Sequence, residues 1–532
     1  MANVSGIPVW KEMGTTTIPQ DVEIDHDVVI VGGGPVGLTL ALDLGLKGRR
    51  VLLLSKYDFI SAGSKAICFA KRTLDIWDRL GIGEAMVEKG VIWNIGKVFC
   101  GDSADPLYQF DLLPVKDQKN PAFINLQQYH AEEILAEAVS KLDNVDCRWG
   151  HEVTDLCVLD DSATLQVLCA EQSYKVEAQW VVACDGSKSS IREQMGLDFA
   201  GRVFEDNFLI ADVKFKQQRP AERWFWFDPP FNRGQSALLH KQPDDIWRLD
   251  FQLGWDIDRE ACIKPENVAP FVRGMLGEDV EFEEEWYSVY TFQCRRMEQF
   301  VHGPVIFAGD SAHLVSPFGA RGCNGGVADA DNLGWKLDAV IAGTTSRLLI
   351  DSYNEEAIVT ADENILNSTR STDFMTPKST VSKAFQDAVL ELAADHDFAR
   401  PFVNSGRLSM PASYPVSSLS SEDEDQWNGG IKPGMPAVDA PLGHSWLLQL
   451  FGDEFILLSQ SANLDIPGIR TVELSDRGCG VQLAKQRYDL EEGSAYLIRP
   501  DQYVAARWRN PTNEKVEQAL IKAGGGRVYA QA

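Results

Sequence analysis

The sequence lacks the patterns of a membrane, metal-binding or nucleic-acid-binding protein. No uninterrupted apolar run approaches the roughly 20 residues that cross a bilayer. The ten cysteines are scattered and none forms a Cys-x-x-Cys pair, so neither a metal site nor a disulfide framework is expected. Positive charge is scarce, because 50 Lys and Arg face 78 Asp and Glu, a formal net charge of −28. Nucleic acid and anionic membranes are therefore not expected partners, and an anionic substrate would need its own cationic group inside the pocket.

The ends and the length of the chain indicate a multidomain protein of the cytoplasm. Residues 1–21 are polar and lack the positive start and apolar core of a secretory signal. Together with the scattered cysteines, they predict a reduced cytoplasmic protein. At 532 residues the chain exceeds what one hydrophobic core usually supports, so we expect two or three domains and room for a large enclosed site.

Residues 27–54 predict a strand, a helix and a second strand. An apolar run at 27–31 stops at three glycines, residues 35–47 have helical apolar spacing, and residues 51–54 are again apolar. The run GGGPVG between strand and helix matches G-x-G-x-x-G through Gly32, Gly34 and Gly37. The first glycine makes a tight turn, the second lets a pyrophosphate approach the backbone, and the third allows close packing. The helix N-terminus would face the phosphates, which predicts a dinucleotide site.

The acid that normally follows this motif is missing. It should stand about 20 residues later and bind a ribose hydroxyl, but the second strand ends in Leu54-Ser55-Lys56. The Ser55 hydroxyl can replace the carboxylate with a weaker hydrogen bond. The interpretation of Ser55 as a plain strand-end residue is equally open.

The pattern changes from about residue 201 onward. Aromatic-rich alternating stretches at 223–227, 246–253 and 286–292 predict a mostly antiparallel sheet. Residues 305–308 then predict a buried strand, followed by a glycine-rich loop and a helix from about Gly326. Ser, Gly, Pro and acidic residues at 417–434 indicate a surface linker, and a small α/β domain is predicted beyond it.

Two further stretches are similar to motifs of a known family. They are ACDGSKSSIR at 183–192 and FAGDSAHLVSPFGARGCN at 307–324. With the glycine motif, they resemble the flavoprotein aromatic hydroxylases, the para-hydroxybenzoate hydroxylase family, most closely its hydroxyphenylpropionate and phenol hydroxylase branch. The resemblance covers residues from about 25 to 400.

This resemblance implies an α/β fold, in which a Rossmann-like FAD-binding domain is interrupted by a mostly antiparallel β-sheet substrate domain. A small thioredoxin-like α/β domain would follow. The expected boundaries are an N-terminal extension at 1–24, the FAD-binding domain at 25–200 and 295–400, the substrate domain at 201–294, a linker at 401–440 and the C-terminal domain at 441–532.

The resemblance also implies roles for single residues at the flavin. Asp310 would bind the ribitol chain of FAD, Pro317 would lie beside the isoalloxazine, and the backbone of Gly322, Cys323 and Asn324 would approach its pyrimidine edge. A helix N-terminus after Asn324 would place its positive end near flavin N1 and O2, where negative charge gathers on reduction. Cys323 is expected to pack against the flavin, with its backbone mattering more than its thiol.

Further cofactor contacts are implied at other positions. Asp185 stands in a motif implicated in binding both FAD and NAD(P)H, and Gln128 would lie near the FAD pyrophosphate or ribitol. Lys65 occupies a position that a ribose-contacting arginine often fills. His313 is expected to brace its loop by hydrogen bonding rather than to exchange protons with substrate.

Three residues of the predicted sheet are candidates for catalysis. The resemblance implies that Arg248 positions the flavin, that Asp250 contacts the substrate ring, and that His240 is a further substrate-side residue. Strand alternation puts Arg248, Asp250 and Gln252 on one face and Trp247 on the other. For each candidate, the interpretation as an ordinary solvated sheet residue is equally open.

The implied activity is a monooxygenase of aromatic-compound catabolism. FAD would be held non-covalently, and NADH or NADPH would bind transiently as reductant, since only one dinucleotide motif is present. Reduced flavin and O2 would give a flavin hydroperoxide that hydroxylates a phenolic ring. A polycyclic polyketide hydroxylase, or an FAD-binding reductase without oxygen insertion, are the alternatives. The C-terminal domain has the lone Cys479 and no redox pair, so it is expected to serve structure or assembly, with a homodimer left open.

Overall fold

The computed structural model describes residues 7–18, 26–63, 65–113, 115–215, 219–403, 410–474 and 480–525. Cys479 and half of the expected N-terminal extension, residues 1–6 and 19–24, lie outside these residues. Over the described ranges, no helix is long and apolar enough to cross a membrane.

A six-stranded sheet forms the centre of the nucleotide-binding part. Its four inner strands are almost entirely apolar because neighbouring helices and sheets bury both faces. Five strands are parallel and one edge strand is antiparallel. The chain leaves this sheet after its fourth strand in space and returns to it near residue 305. In spatial order the strands are Val145–Trp149, Val51–Ser55, Val28–Val31, Val181–Ala183, Val305–Phe307 and Val301–His302.

Three helices pack beside this sheet. Pro35–Leu46 follows the glycine motif and packs against both Gln128–Val139 and Gly322–Ile341. The approach is close, since a Cβ on Gly334 would be 2.0 Å from the Asp43 carboxylate. Further helices surround the nucleotide-binding part: Lys71–Arg79, Gly83–Lys89, Ser190–Gln194, Leu348–Met375, Thr380–Asp395 and Arg400–Val403.

An eight-stranded sheet forms the second body. Its strands are antiparallel except where Arg223–Phe227 runs parallel to Ile95–Cys100. The sheet extends beyond residues 201–294, because two of its strands come from 95–111 and one from 313–314. One face packs apolar side chains on helix Pro265–Leu276, beside the short helix Arg259–Cys262. In spatial order the strands are His313–Leu314, Glu283–Arg296, Ala200–Lys214, Ile246–Gln252, Ser236–Lys241, Arg223–Phe227, Ile95–Cys100 and Tyr108–Asp111.

Smaller sheets complete the two bodies. One of three strands, Cys68–Ala70, Phe123–Asn125 and Val91–Trp93, contacts the eight-stranded sheet, because Asn125 donates a hydrogen bond to the Lys241 carbonyl (2.7 Å). The others comprise the strands His151–Val158, Ala163–Cys169 and Gln172–Ala178, and the pair Val9–Glu12 with Phe59–Ser61.

The C-terminal part is a four-stranded mixed sheet with helices. Buried charges join it to the nucleotide-binding part: Arg499 donates to Glu356 and Asp501, Lys336 also donates to Glu356, and Arg72 donates to the Asp501 carbonyl. Its elements are the strands Pro441–Leu442, Ser445–Trp446, Ile456–Ser459, Arg470–Glu473, Ala495–Ile498 and Val504–Trp508 and the helices Leu447–Phe451, Val481–Tyr488 and Asn513–Ala523.

Candidate active site

The glycine motif forms the turn between the first parallel strand and its helix. Gly32 has φ +122°, and a Cβ there would lie 2.2 Å from the Cys184 carbonyl oxygen. A Cβ on Gly37 would lie 2.1 Å from the Gly32 carbonyl oxygen. In contrast, a Cβ on Gly34 would meet no described atom within 4 Å, and no side chain caps the helix that begins at Pro35. Open space at an uncapped helix N-terminus fits a dinucleotide pyrophosphate.

Ser55 lies beside this turn. Its side chain is buried and its hydroxyl donates a hydrogen bond to the Tyr57 carbonyl (2.9 Å). A Cβ on Gly33 would be 2.9 Å from the Ser55 hydroxyl oxygen, so the hydroxyl lies directly against the glycine turn. The oxygen can still accept a hydrogen bond from a ribose. Ribose binding by Ser55 stays a prediction.

Asp310 lies in the one-turn helix Gly309–Ser311, which a buried carboxylate holds in place. Asp329 accepts a hydrogen bond from the Gly309 amide (2.9 Å) and contacts His313 Nε2 (2.7 Å). Burial lowers the pKa of His313, but Asp329 outweighs this effect and the pKa is raised. The prediction that His313 braces its loop is confirmed. Asp310 itself is exposed to solvent in this turn, and desolvation by the surrounding protein raises the pKa of its carboxyl.

The Asp185 and Asp310 motifs are joined by hydrogen bonds. The Ser311 hydroxyl donates to the Ala183 carbonyl (2.6 Å), and Arg192 donates to the Ser311 carbonyl (2.9 Å). Asp185 Oδ2 accepts from the Ile191 amide (3.3 Å), while its Oδ1 is buried without a hydrogen-bond partner among the described residues. Burial raises the pKa of this carboxyl. Ser189 caps the short helix Ser190–Gln194, and Asp185 adds a contact to its first turn. Binding of the cofactor by the second Asp185 oxygen stays a prediction.

Gly322, Cys323 and Asn324 are the first three residues of a long helix. The helix begins at Gly322, so the expected start near Gly326 is wrong by about one turn. The helix accommodates Gly326 because it packs closely on Val36 of the first helix, where a Cβ would lie 2.5 Å away, and Gly325 lies against Asn364 of helix Leu348–Met375. No side chain caps its N-terminus, so the first backbone N–H groups have no partner within the helix.

The Asn324 side chain fixes a neighbouring strand. Its Oδ1 accepts from the Ala70 amide (2.9 Å) and the Thr73 hydroxyl (2.6 Å), and its Nδ2 donates to the Cys68 carbonyl (2.9 Å). Only the Asn324 backbone is left for a ligand, as the resemblance implies. Pro317 is exposed in the loop before this helix, and burial raises the pKa of Cys323, which keeps its thiol neutral.

Gln128 and Lys65 lie near a buried acid that sequence reasoning missed. Gln128 accepts from the Ala66 amide (3.0 Å) and donates to Glu132 (2.7 Å). Burial raises the pKa of Glu132 to about 7, whereas Gln128 and the exposed Lys65 oppose that shift. Glu132 follows Gln128 by one helical turn, a spacing that could have identified it.

The face of the eight-stranded sheet opposite helix Pro265–Leu276 carries a row of buried charged and polar side chains. Strand pairing aligns Arg223 with His240, His240 with Arg248, and Arg248 with Asp212. The predicted alternation is confirmed, because Trp247, Leu249 and Phe251 pack in the apolar core on the other face. Arg248 and His240 are 2% and 1% exposed, so neither is a solvated sheet residue.

Arg248 makes a two-point ion pair with Asp212, which the sequence did not reveal. The Nε–Oδ1 and Nη2–Oδ2 distances are 2.7 and 2.8 Å. Burial raises the pKa of Asp212 despite this partner. The guanidinium also lies 5.7 Å from the Trp286 ring centroid. Arg248 is therefore held in a fixed position beneath the cleft.

Asp250 and His240 lie side by side. His240 Nε2 is 3.1 Å from Asp250 Oδ2, although the two atoms are not aligned for a hydrogen bond. Burial, helped by Arg223, lowers the pKa of His240 to about 4. The ring is therefore neutral at pH 7, and the Asp250 side chain beside it is partly exposed.

The row lies near the strand Cys68–Ala70. The Cys68 thiol lies within electrostatic range of Arg223, Arg248 and Asp250, and burial raises its pKa. The carbonyl of the same residue accepts from Asn324 at the helix N-terminus. The strand Cys68–Ala70 thus connects the sheet floor to the proposed pyrimidine edge.

Comparison with known families decides the class of the protein. The family model described as FAD binding domain matches residues 25–368. The chain belongs to this family. It is a class A flavoprotein of the aromatic hydroxylase type, as its relatives show.

Two relatives of the flavoprotein family illustrate the range. The chain is 30% identical to a 3-(3-hydroxy-phenyl)propionate/3-hydroxycinnamic acid hydroxylase of Mycolicibacterium gilvum, over 94% of this chain and 92% of that enzyme. It is 33% identical to a 12-dehydrotetracycline 5-monooxygenase/anhydrotetracycline 6-monooxygenase of Streptomyces rimosus, a match that spans 62% of this chain and 66% of that enzyme.

A solved structure has the same architecture. Aklavinone-11 hydroxylase, in a ternary complex with FAD and aklavinone, superposes with a TM-score of 0.78 at 20% identity, covering 95% of this chain and 99% of that one. At this identity the likeness shows the fold alone.

Proposed function

We propose that the protein hydroxylates a phenolic ring with NADH or NADPH and O2, and that it holds FAD non-covalently. The observation that carries the proposal is the buried polar row on the eight-stranded sheet, which the strand Cys68–Ala70 connects to the uncapped N-terminus of helix Gly322–Ile341 within the matched FAD-binding region. Arg248 and Asp250 are the charged side chains of the row that we assign to the reaction. Both lie within electrostatic range of Cys68, whose carbonyl accepts a hydrogen bond from Asn324.

Three parts of the chain would hold the cofactor. Gly34 and the helix after it would receive the pyrophosphate, Asp310 the ribitol, and the N–H groups at Gly322–Asn324 the pyrimidine edge. The flavin supplies the electron transfer and oxygen activation that no side chain provides. An uncapped helix N-terminus at Gly322 favours negative charge at the edge that it faces.

The side chains of the row would orient the phenol and take its proton. Asp250 is partly exposed to the cleft and its Oδ2 lies beside a neutral His240, so the carboxylate can accept the phenolic proton. The Arg248–Asp212 pair would keep the floor rigid under the flavin. Enclosure of the row by the sheet of Cys68–Ala70 would exclude water.

A polycyclic substrate is the second candidate, which the 33% identity to the tetracycline enzyme favours. Phenolic acids, simple phenols and anhydrotetracycline would be screened for stimulated NAD(P)H oxidation, with the hydroxylated product counted against NAD(P)H consumed. Product from a monocyclic phenol supports the proposal, and product from the polycyclic compound alone supports the second candidate. NAD(P)H oxidation without oxygenated product from any compound would indicate a reductase.

We also propose the finer domain layout. The C-terminal sheet has the order Arg470–Glu473, Ile456–Ser459, Ala495–Ile498, Val504–Trp508, with the first two parallel and the rest antiparallel. This arrangement, closed by helix Asn513–Ala523, supports a thioredoxin-like domain. The nine described cysteines are all free thiols, which supports a reducing, cytoplasmic location. A homodimer is proposed as the assembly, and gel filtration with light scattering tests it.

A further inference from the structure

Arg223 is the cation of the polar row for which the described residues supply no ion-pair partner. Its side chain is 5% exposed, and its Nε and Nη1 are buried without a hydrogen-bond partner in the described part of the chain. Burial lowers its pKa, but a guanidinium stays charged at neutral pH. The ring centroids of Phe225 and Trp93 lie 5.0 and 5.7 Å from it. Burying such a charge without compensation is unfavourable, which marks Arg223 as a binding group rather than a structural one.

The neighbours of Arg223 do not remove this charge. Arg248 is compensated by Asp212 in a two-point ion pair. His240, directly beside Arg223 in the strand pairing, is neutral at pH 7. Asp250 stands beside His240 and two strands away from Arg223; its charge acts on Arg223 through space, but the two side chains form no ion pair. The row therefore has a positive end at Arg223 and a negative end at Asp250, and a bound substrate could contact both.

We propose that Arg223 binds the carboxylate of the substrate, so that the natural substrate is a phenolic acid rather than an uncharged phenol. The inference rests on the proposed hydroxylase function. A guanidinium fork matches a carboxylate in geometry and charge, and its free donors would be satisfied by two parallel hydrogen bonds. The aromatic faces of Trp93 and Phe225 flank the same guanidinium and suit a substrate ring. Asp250 would then contact the phenolic hydroxyl at the other end of the substrate.

The test compares phenolic acids with their primary amides, which keep the shape and lose the charge. The pairs are 3-hydroxybenzoate, 4-hydroxyphenylacetate and 3-(3-hydroxyphenyl)propionate with the matching amides, in a buffer free of carboxylates. Binding to the FAD-loaded enzyme is measured from the change in flavin absorbance. At least one acid should bind more tightly than its amide, and R223M should reduce that preference by roughly 10- to 100-fold.

Two further variants separate binding from folding. R223K keeps the charge without the fork, so an intermediate preference is expected. R219M is the matched control: Arg219 donates to the Leu276 carbonyl (2.9 Å) and lies over Trp224, whose side chain belongs with the opposite face of the sheet. R219M should leave the acid preference unchanged.

Thermal unfolding distinguishes a ligand-binding role of Arg223 from a structural role. Without ligand, R223M should unfold at the same temperature as the parent protein or higher, because it removes a buried unpaired charge. The preferred acid should raise the unfolding temperature of the parent protein and not that of R223M. A large loss of stability in R223M would show that Arg223 serves the fold.

The inference is overturned if no acid binds better than its amide, or if R223M weakens an acid and its amide equally. Equal weakening would place the phenolate, not the carboxylate, at Arg223. Either result leaves the proposed function standing when an uncharged phenol is hydroxylated with NAD(P)H consumed in step. Absence of oxygenated product from every phenol instead refutes the hydroxylase function itself.

Discussion

Arg248 and Asp212 form a two-point ion pair inside the eight-stranded sheet, with N–O distances of 2.7 and 2.8 Å. Both side chains are at least 95% buried. Removing one partner leaves the other charge uncompensated in the interior, and this is more costly than removing both.

R248M should therefore destabilise the protein by about 3–5 kcal/mol, whereas the double variant R248M/D212L should cost much less. Urea unfolding of the two single variants and the double variant gives the coupling energy directly. The variant R248K tests the flavin-positioning role. With FAD still bound, its flavin should be reduced more slowly by NAD(P)H, or the enzyme should release more hydrogen peroxide. If R248M loses less than about 1 kcal/mol of unfolding free energy, the ion pair contributes little to stability.

D250N should slow hydroxylation by about 10²–10⁴-fold while flavin binding is largely spared. The reason is that the carboxylate faces the cleft beside the neutral His240 and is the group placed to accept the phenolic proton. Stopped-flow absorbance separates flavin reduction from oxygen transfer. D256N, in the exposed segment just after the same strand, is the control and should behave like the parent enzyme. Normal hydroxylation by D250N would remove Asp250 from the chemistry.

D310A should weaken FAD binding by roughly 10- to 100-fold, since it removes a charge-assisted hydrogen bond to the cofactor. The Gly309–Ser311 turn should survive, because Asp329 holds it through the Gly309 amide. Fluorescence titration of the apoprotein with FAD measures the affinity. D198A removes an exposed carboxylate outside the cleft and serves for comparison. An unchanged affinity in D310A would count against the ribitol assignment.

Glu132 should make the protein less stable as the pH rises. Its folded-state pKa of about 7 lies above the ordinary value of 4.5, so unfolding releases a proton between these pH values. The carboxyl therefore lowers stability progressively through this window, by about 3 kcal/mol above pH 7. E132Q should match the parent protein near pH 4.5 and exceed it at pH 8, in thermal unfolding at saturating FAD.

Glu133 provides a control of opposite sign for this prediction. Burial raises its pKa, but hydrogen bonds from Lys11 and Trp10 outweigh the effect and the pKa is lowered. E133Q should therefore lose a little stability at pH 8 and none at low pH. The same pH profile for E132Q and the parent protein would show that Glu132 ionises normally.

Removal of residues from 417 onward should leave a part that binds FAD but unfolds at a lower temperature. All three flavin motifs precede the cut, yet Glu356, which Lys336 also contacts, would lose its buried ion pair with Arg499. FAD titration and thermal unfolding of the shortened protein test both halves of the statement. A folded product without flavin affinity would contradict the proposed domain layout.

The motif turns and the alternation of the sheet were predictable from the sequence alone. Three glycines between an apolar strand and an apolar, buried helix specify the turn at Gly32, because only local backbone geometry and close packing are involved. The two faces of residues 246–252 follow from the two-residue period of a strand. The start of the helix at Gly322 was misplaced, because glycines discourage a helix locally while packing on a neighbouring helix permits it.

Only the tertiary structure decided which buried charges have partners. Asp212 reaches Arg248 through strand pairing, Asp329 reaches His313 from the next helix, and residues 95–111 join a sheet that is mostly formed by later segments. The sequence predicts that Arg223 lies in a strand. Only the folded structure shows that the described residues supply no hydrogen-bond partner for its Nε and Nη1. Local pattern determines which face a side chain occupies, whereas the charge it meets there depends on segments distant in the chain.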